Sequence, residues 1–413
     1  MNTVELAFEV YKKIAYQNIP FSLALKNECR NKKVEGKERS EASTIVGCAL
    51  RHYLIFDLRI KEENPNLSKD GCALCSIALA NSFFLNKINT EDLLLFAKKT
   101  LNEDEYKSLE NLLLKFKNNG HLIPDSIKPN SVEFLSYRYN TPLWLIKMWN
   151  KHYGLNALYK ILKSNNRPVE NYVKALFNEK IEDENFELVK DETNIYKYVG
   201  KESLKRNDLY FNQHLFAYSL GFNEIINKLE IDPVRGIALF TAFPNNIYLD
   251  LISRNSKYLK MDIITPTFQV LSDIQRTVKT NNLENVKLYE ANVSSIITCI
   301  SNKVQTFFVL PNSSRFSLLR STPDYFLKID QNKLDTFIKG ERDALNEVAP
   351  LIADNGNLIY CIDTISQKEG HLLIEAFLNE HHDFSLLEEK QYLGIGSTSA
   401  LYYAILTKGS KND

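Results

Sequence analysis

Cysteine is scarce in this sequence: the 413 residues include six, scattered along the chain. Sparse thiols of this kind are typical of a reducing compartment and exclude a disulfide-stapled secreted scaffold. Long apolar runs are missing as well. None approaches the roughly 18 residues that are needed to cross a bilayer, and the first residues lack the apolar core of a signal peptide. We therefore expect a cytoplasmic protein that has no membrane partner.

Metal-binding patterns are equally poor. Cys72 and Cys75 form the only Cys-x-x-Cys pair, and neither a second pair nor histidines at ligand spacing accompany it. A structural zinc site needs four such ligands. We interpret both cysteines as small apolar residues of a helix and predict no metal.

The chain has no net charge, because 51 Lys and Arg balance 51 Asp and Glu. The balance is not even along the chain: residues 128–180 hold nine Lys and Arg against three Glu. Such an excess can attract a phosphate backbone, but it is equally typical of a solvated helical face. If this segment binds RNA, we expect the contacts to come from Lys147, Lys151, Lys163 and Arg167.

The whole chain is too long for one ordinary core. Helical periodicity dominates its first part. Apolar residues recur at helical spacing in residues 4–16, 42–60 and 72–85, as on the buried face of an amphipathic helix. Gly120 and Pro124 then mark a break. We predict an all-helical domain over residues 1–127, followed by a linker with a small mixed subdomain over residues 128–205.

From residue 206 onward, short apolar runs alternate with helical segments. The runs are residues 235–241, 258–263, 286–289, 305–310, 356–364 and 400–407. Strands that alternate with helices predict a mostly parallel, doubly wound sheet. Binding sites in such sheets lie at the carboxyl ends of the strands. We therefore expect a site in the loop after Leu310 and around Asp363.

Several segments together carry a family resemblance. They are residues 5–10 (ELAFEV), 21–25 (FSLAL), 42–47 (ASTIVG), 139–145 (YNTPLWL) with Trp149 and Gly154, 165–168 (NNRP), and 402–404 (YYA) with Lys408. In order and spacing they resemble the RsmB-type ribosomal RNA cytosine-C5 methyltransferases of the RsmB/NOP family. The resemblance implies a NusB-like helical RNA-binding domain, a small RNA-binding subdomain, and a Rossmann-like class I methyltransferase domain over residues 206–413. It implies ribosomal RNA, or ribosome-assembly and transcription factors, as partners, and we expect a monomer.

The resemblance also implies S-adenosylmethionine as the cofactor, which the family holds with a glycine-rich loop after the first strand of the sheet. Of that loop pattern, Ala242 and Pro244 remain, and Thr241 and Pro244 are the candidate cofactor contacts. Asn245 and Asn246 stand where the family has glycines. Asparagine tolerates positive φ better than most residues, so it can preserve the turn, although its side chains would project toward the place of the cofactor.

One further cofactor contact is implied by the resemblance. Asp262 ends the second predicted strand and corresponds to the acid with which the family binds the ribose hydroxyls. An aspartate at the end of a strand is also a common N-cap of the following helix.

The family's two catalytic cysteines are absent. One attacks C6 of cytosine so that C5 can accept the methyl group, and the other assists product release; the matching positions here are Asp363 and Asn312. A carboxylate is a poor substitute for a thiolate in such an addition. Cys361 lies two residues before Asp363, and it is either a relocated nucleophile or a buried strand cysteine.

Three functions remain open at this point. The joint loss of both cysteines and of the loop glycines favours a catalytically inactive homologue that retains binding of RNA or of ribosome-assembly factors. A second function is active methyl transfer from S-adenosylmethionine with an altered site, in which Asp262 would bind the ribose. The third is a NusB-like binding module for transcription or ribosome assembly, with the α/β domain as a scaffold.

Overall fold

A computed structural model describes residues 2–119, 121–192, 194–232, 236–255 and 259–409. The predictions that involve Gly120, Arg235 and Tyr258 lie outside these residues. The chain forms two compact units. The first unit consists of Met1–Asn166 with Leu318–Asp330, and the second of Arg167–Ser317 with Gln331–Asp413. The finer division of the chain at residues 127 and 205 stays a prediction.

The N-terminal part of the first unit is helical, as its periodicity predicts. Its helices are α1 Thr3–Gln17, α2 Phe21–Lys32, α3 Gly36–Arg51, α4 Tyr53–Glu63, α5 Lys69–Ala80, α6 Thr90–Thr100, α7 Glu103–Asn119, α8 Val132–Arg138 and α9 Leu143–Asn165. The apolar faces of α1 to α7 share one core. Cys72 and Cys75 lie on α5, and Cys75 is fully buried. No helix in the described ranges is both long and apolar enough to span a bilayer.

Helix α9 consists of two halves that meet at Gly154. The backbone of Gly154 has a φ of +75° and a ψ of 167°, a conformation that residues with a Cβ rarely adopt. The helix axis is therefore interrupted there. In the first half, Trp149 is fully buried, so this half is held against the rest of the unit.

The second unit begins with a small antiparallel sheet. Its strands are β1 Tyr172–Ala175, β2 Phe186–Leu188, β3 Ile195–Tyr198 and β4 Leu215–Ala217, with the short helix α10 Asp208–Phe211 before β4. The strand order is β2-β3-β1-β4. A small mixed subdomain is thus present. The sequence pattern predicts that it ends at residue 205, but its last strand, β4, lies beyond that residue.

A seven-stranded sheet forms the rest of the second unit and confirms the predicted Rossmann-like α/β fold. Its elements are α11 Leu220–Asn227, β5 Ile237–Thr241, α12 Ile247–Asn255, β6 Met261–Thr265, α13 Phe268–Thr280, β7 Val286–Glu290, α14 Ile296–Cys299, β8 Val304–Leu310, α15 Gln331–Val348, β9 Ile352–Ile362, α16 His371–Glu380, β10 Phe384–Leu393 and β11 Ala400–Lys408. The order is β10-β11-β9-β8-β5-β6-β7, parallel from β9 to β7. Separate apolar cores cover the two faces.

Strand β10 is the one strand of this sheet that the sequence pattern does not predict. It pairs antiparallel with β11 at the edge of the sheet, and most of its side chains are exposed or half-buried. Its centre is charged, with Glu388, Glu389 and Lys390 in a row. Charged residues are typical of edge strands, where they discourage pairing with other chains, and they hide the apolar pattern on which strand prediction depends.

Candidate functional site

The candidate site lies at the carboxyl ends of β5, β8 and β9. Strand β5 lies between β6 and β8 and is parallel to both, which makes it the switch point of the sheet, where ligands bind in α/β folds. Thr241 at the end of β5 pairs with Leu310 at the end of β8. The loops that follow β5, β8 and β9 therefore meet at one edge, as predicted.

The loop after β5 is held by its own side chains. The Thr241 hydroxyl donates to the carbonyl of Phe243 (2.8 Å), and the Asn245 amide donates to Thr241 Oγ1 (2.5 Å) and to the Phe243 carbonyl (3.1 Å). Asn245 Oδ1 accepts from the backbone N–H of Ile247 (3.2 Å), where α12 begins. Neither Asn245 nor Asn246 has a positive φ. The expected explanation of the turn was wrong: hydrogen bonds, and not a left-handed asparagine, close it.

Asp262 does not lie at the end of its strand, and this expectation was wrong. It is the second residue of β6, paired with Ala238 on β5 and Lys287 on β7. The end of the strand is Thr265, about 10 Å further along at the rise of an extended chain. Burial raises the pKa of Asp262, and the Tyr289 hydroxyl that donates to it (3.3 Å) opposes this.

Thr265 thus occupies the place where the resemblance requires a ribose-binding acid. Its side chain is fully buried, and its hydroxyl has no hydrogen-bond partner among the described residues. A neutral hydroxyl offers a single oxygen without charge, whereas a carboxylate offers two charged oxygens to the two ribose hydroxyls. The carboxyl end of β6 therefore lacks the acid.

The loop after β8 is tied to the end of β9 by a buried carboxylate. Glu369 accepts from the Ser314 backbone N–H (2.6 Å) and from the hydroxyls of Ser314 (2.7 Å) and Thr364 (2.8 Å). All three residues are buried, whereas Asn312 in the same loop is exposed. Sequence reasoning missed Glu369, because it lies in an irregular segment 55 residues from Ser314 and matches no motif.

Phe243, Arg315 and Asp363 form a chain of contacts across the edge, which we call the edge triplet. The Arg315 guanidinium lies 4.7 Å from the centre of the Phe243 ring, and its Nε lies 4.0 Å from Asp363 Oδ2. Asp363 directly follows β9, and its carbonyl accepts from the Ser317 backbone N–H (3.3 Å). Burial raises the pKa of Asp363, while the Arg315 charge and Ser317 lower it. The triplet links all three loops through side chains of the protein itself.

Arg315 carries some backbone strain at this point. Its φ is +53°, in the left-handed region that residues with a Cβ seldom occupy. Such outliers cluster at functional sites. Sequence reasoning missed Arg315 as well, because nothing in its local sequence indicates the contact with Phe243.

Cys361 is a buried strand cysteine, which confirms one of the two interpretations. It pairs with Tyr403 of β11, is 1% exposed and packs in the core on one face of the sheet. Burial, with the Asp363 charge, raises the pKa of its thiol, so the reactive thiolate is disfavoured. No group of three or more His, Cys, Asp and Glu in the described residues is placed to hold a metal ion.

The predicted RNA-binding residues lie in both units. Lys147, Lys151 and Lys163 are exposed on α9, and none of them has an ion pair with another described residue. Arg167 is exposed and belongs to the second unit. Lys174, which contributes to the charge excess, is buried against Asp250 and cannot contact a phosphate. The structure therefore places the three lysines on one helix, whereas Arg167 belongs to the other unit.

Comparison with known proteins found similar folds only. No family model matches the sequence, and no curated protein matches it. The crystal structure of PH0851 is similar with a TM-score of 0.78 at 16% identity, covering 98% of both chains. A methyltransferase homologue protein from Pyrococcus horikoshii has a TM-score of 0.57 at 11% identity, covering 68% of this chain and all of that one. NSun6 from Pyrococcus horikoshii, solved with SFG, has a TM-score of 0.55 at 11% identity, covering 64% and 97%. These likenesses establish a methyltransferase-type fold.

Proposed function

We propose that this protein is an inactive homologue of the ribosomal RNA cytosine-C5 methyltransferases that binds RNA and transfers no methyl group. The edge triplet carries the proposal. Where the resemblance places a nucleophilic thiol, Asp363 is the neighbour of a guanidinium that lies over Phe243. A carboxylate beside a cation is a weak nucleophile toward C6 of cytosine. The edge holds its loops together, and its one nearby thiol among the described residues, Cys361, is buried.

The same edge does not fit S-adenosylmethionine. The side chains of Thr241 and Asn245 in the loop after β5 are used in hydrogen bonds within the loop and to the start of α12. The end of β6 presents a buried threonine where an acid would hold the ribose. Phe243 is buried in the loop and contacts Arg315, so a large side chain stands where small residues let the cofactor approach the backbone in related loops.

We therefore expect no methyl transfer and no cofactor binding by the full chain. Calorimetric titration with S-adenosylmethionine and S-adenosylhomocysteine up to millimolar concentration should give no heat, and neither ligand should raise the melting temperature, as linkage requires of any ligand of the folded state. A tritiated methyl-transfer assay on small-subunit ribosomal RNA should give background counts. An active cytosine-C5 methyltransferase is the positive control. Binding at about 10 μM, roughly 7 kcal/mol, or methyl incorporation that depends on this protein, would contradict the proposal.

Helix α9 supports the RNA-binding part of the proposal. Its 23 residues include four lysines and no Asp or Glu. Lys147 and Lys151 are four residues apart, and Lys160 and Lys163 three apart, so each pair shares a helix face. All four are exposed and lack ion pairs with other described residues. Exposed lysines that are not paired with carboxylates can contact the phosphates of a nucleic acid. Each such contact releases salt cations that are bound to the nucleic acid.

Neutralising the α9 lysines should flatten the salt dependence of RNA binding. For Lys147→Gln, Lys151→Gln and Lys163→Gln together, the slope of log K against log salt should fall in magnitude by about 2, at roughly 0.7 per lost phosphate contact with a single strand. Fluorescence anisotropy with a labelled single-stranded ribosomal RNA fragment measures this. The matched control replaces Lys26, Lys98 and Lys99, which are exposed on α2 and α6, and should leave the slope nearly unchanged. Equal slopes in both variants would indicate that α9 is only a solvated face.

A further inference from the structure

A cavity of about 550 Å³ opens in the first unit, within the size range of small-ligand sites. Its wall mixes aromatic rings with titratable groups. Among its lining residues are His52, Phe83, Phe84, Asp125, Tyr137 and Arg138. Rings together with hydrogen-bonding groups are the composition with which proteins hold unpaired nucleobases.

The two phenylalanines come from a π-helical turn. This turn, Asn81–Leu85, follows α5 directly, and π-helical turns occur frequently at functional sites. The buried Asn81 side chain closes it by donating to the Ile88 carbonyl (2.8 Å) and accepting from the backbone N–H groups of Lys87 (2.8 Å) and Ile88 (2.9 Å). Phe83 and Phe84 are therefore presented by a fixed backbone.

Phe84 remains partly exposed at the cavity. It stacks on the His52 ring with 4.0 Å between centroids and 9° between planes, and it is still 42% exposed. Burial and the Arg51 charge lower the pKa of His52 to about 4, so its ring is neutral at pH 7 and has one donor and one acceptor nitrogen. The pair combines an apolar surface with groups that can recognise the edge of a base.

The cavity is joined rigidly to the start of the basic segment. The Asn140 side chain accepts from the Leu54 backbone N–H (2.9 Å) and donates to the Leu50 carbonyl (3.0 Å), on either side of His52. Arg138, which lines the cavity, lies two residues earlier, and residues 134–166 contain no Asp or Glu. Asp125 is the acid of the lining. Arg138 and the lysines of α9 thus come next along the chain, and they could contact the phosphates of a bound strand.

We propose that this cavity holds one unpaired base of a single-stranded RNA, stacked on Phe84, with Arg138 and α9 contacting the adjoining phosphates. The proposal rests on the proposed function and deepens it, because it names unpaired strand as the form of RNA that is bound. Stacking contributes to affinity without releasing counter-ions, whereas the lysines act through counter-ion release. The two contributions can therefore be measured separately.

The test uses the full chain and a single-stranded RNA of 12 nucleotides that carries one 2-aminopurine. We expect binding to quench the 2-aminopurine, and Phe84→Ala to weaken binding about tenfold, as loss of one stacked base does, with an unchanged salt slope. Phe84→Leu should behave like the alanine variant, and Phe84→Tyr should bind like the parent. The matched control is Leu114→Ala, whose side chain is 58% exposed on α7 of the same unit. Melting temperatures check that each variant is folded.

The outcomes separate the cavity from the proposed function. A parent that binds with a steep salt slope, but whose affinity and quenching are unaffected by Phe84→Ala, would overturn the base site and leave RNA binding standing. A blunt duplex of the same length that binds as well as the single strand would overturn it too. A parent that binds none of these RNAs at 50 mM salt would overturn both, and would favour a protein as the occupant of the cavity.

Discussion

Replacing Asp250 with alanine should destabilise the second unit by about 3–5 kcal/mol, the usual cost of removing one partner of a buried ion pair. Asp250 lies on α12 and is fully buried together with Lys174 of β1. Its carboxylate accepts from Lys174, from the Tyr218 hydroxyl and from Arg254 Nε (2.8 Å). Burial lowers the pKa of Lys174, and Asp250 opposes this. Without Asp250, a buried ammonium would lose its counter-ion.

Hydrogen exchange resolved by peptide is the suitable measurement, because it reports on β1 and α12 directly. Trp144 and Trp149, the two tryptophans of the chain, lie in the first unit. Their fluorescence therefore reports on the unit that does not carry the substitution and serves as an internal reference. Asp273→Ala is the matched control, since Asp273 is exposed on α13 and its ion pair with Arg276 (3.7 Å) is worth at most about 1 kcal/mol. A loss below about 1 kcal/mol for Asp250→Ala would contradict the prediction, because it would show that no uncompensated buried charge remains at Lys174.

The fold could be predicted largely because each element carries its own pattern. Strand β5 is buried along its whole length and strand β8 from Thr306 to Leu310, as a central parallel strand with both faces covered requires. The point where a strand ends is set less sharply. A shift of three residues separates Asp262 from Thr265, and at about 3.3 Å per residue this moves a side chain across much of the sheet. The existence of the strand was thus predictable here, and the residue at which it ends was not.

The edge at which β8 and β9 end could be predicted from the sequence, but the contacts made there could not. Leu310 and Asp363 mark this edge because parallel strands bring their carboxyl ends together, and the functional site there stays a prediction. The residues that organise this edge, Arg315 and Glu369, act on partners that are distant along the chain and lie in irregular segments. No periodicity describes such segments. Only the tertiary contacts show that these side chains link the loops. Since function is determined by such contacts at the site, the fold alone does not define it.

A buried acid beneath this edge leads to the second large effect. Glu341 of α15 is fully buried, and no described residue makes a hydrogen bond of normal geometry to its carboxyl oxygens. Glu369 and Tyr360 are its neighbours, and Glu369 is itself engaged by Ser314 and Thr364. Burial and the Glu369 charge hold the pKa of Glu341 well above its usual range. Two adjacent buried carboxyls cannot both ionise without large cost.

The sign of the pH effect follows from this raised pKa. An unfolded glutamate loses its proton near pH 4.3, whereas folded Glu341 keeps its proton to higher pH. Its contribution to stability is therefore complete below about pH 4.3 and is lost as pH rises toward the folded pKa, by up to about 1.4 kcal/mol per pH unit. Glu341→Gln remains neutral at all pH values and removes this loss, so it should stabilise the second unit at pH 7.5 by about 1–3 kcal/mol.

Urea unfolding between pH 4 and 8, followed by hydrogen exchange in α15 and β9, tests this. The gain from Glu341→Gln should grow as pH rises and vanish near pH 4. Glu347→Gln, at a half-buried position on the same helix, is the control and should change stability by less than about 0.5 kcal/mol. Glu341→Leu separates charge from hydrogen bonding: it should also stabilise if the carboxyl is merely buried. If both variants lowered stability at pH 7.5, Glu341 would be a working donor to Glu369, and the loop from Pro311 to Ser314 would depend on a shared proton.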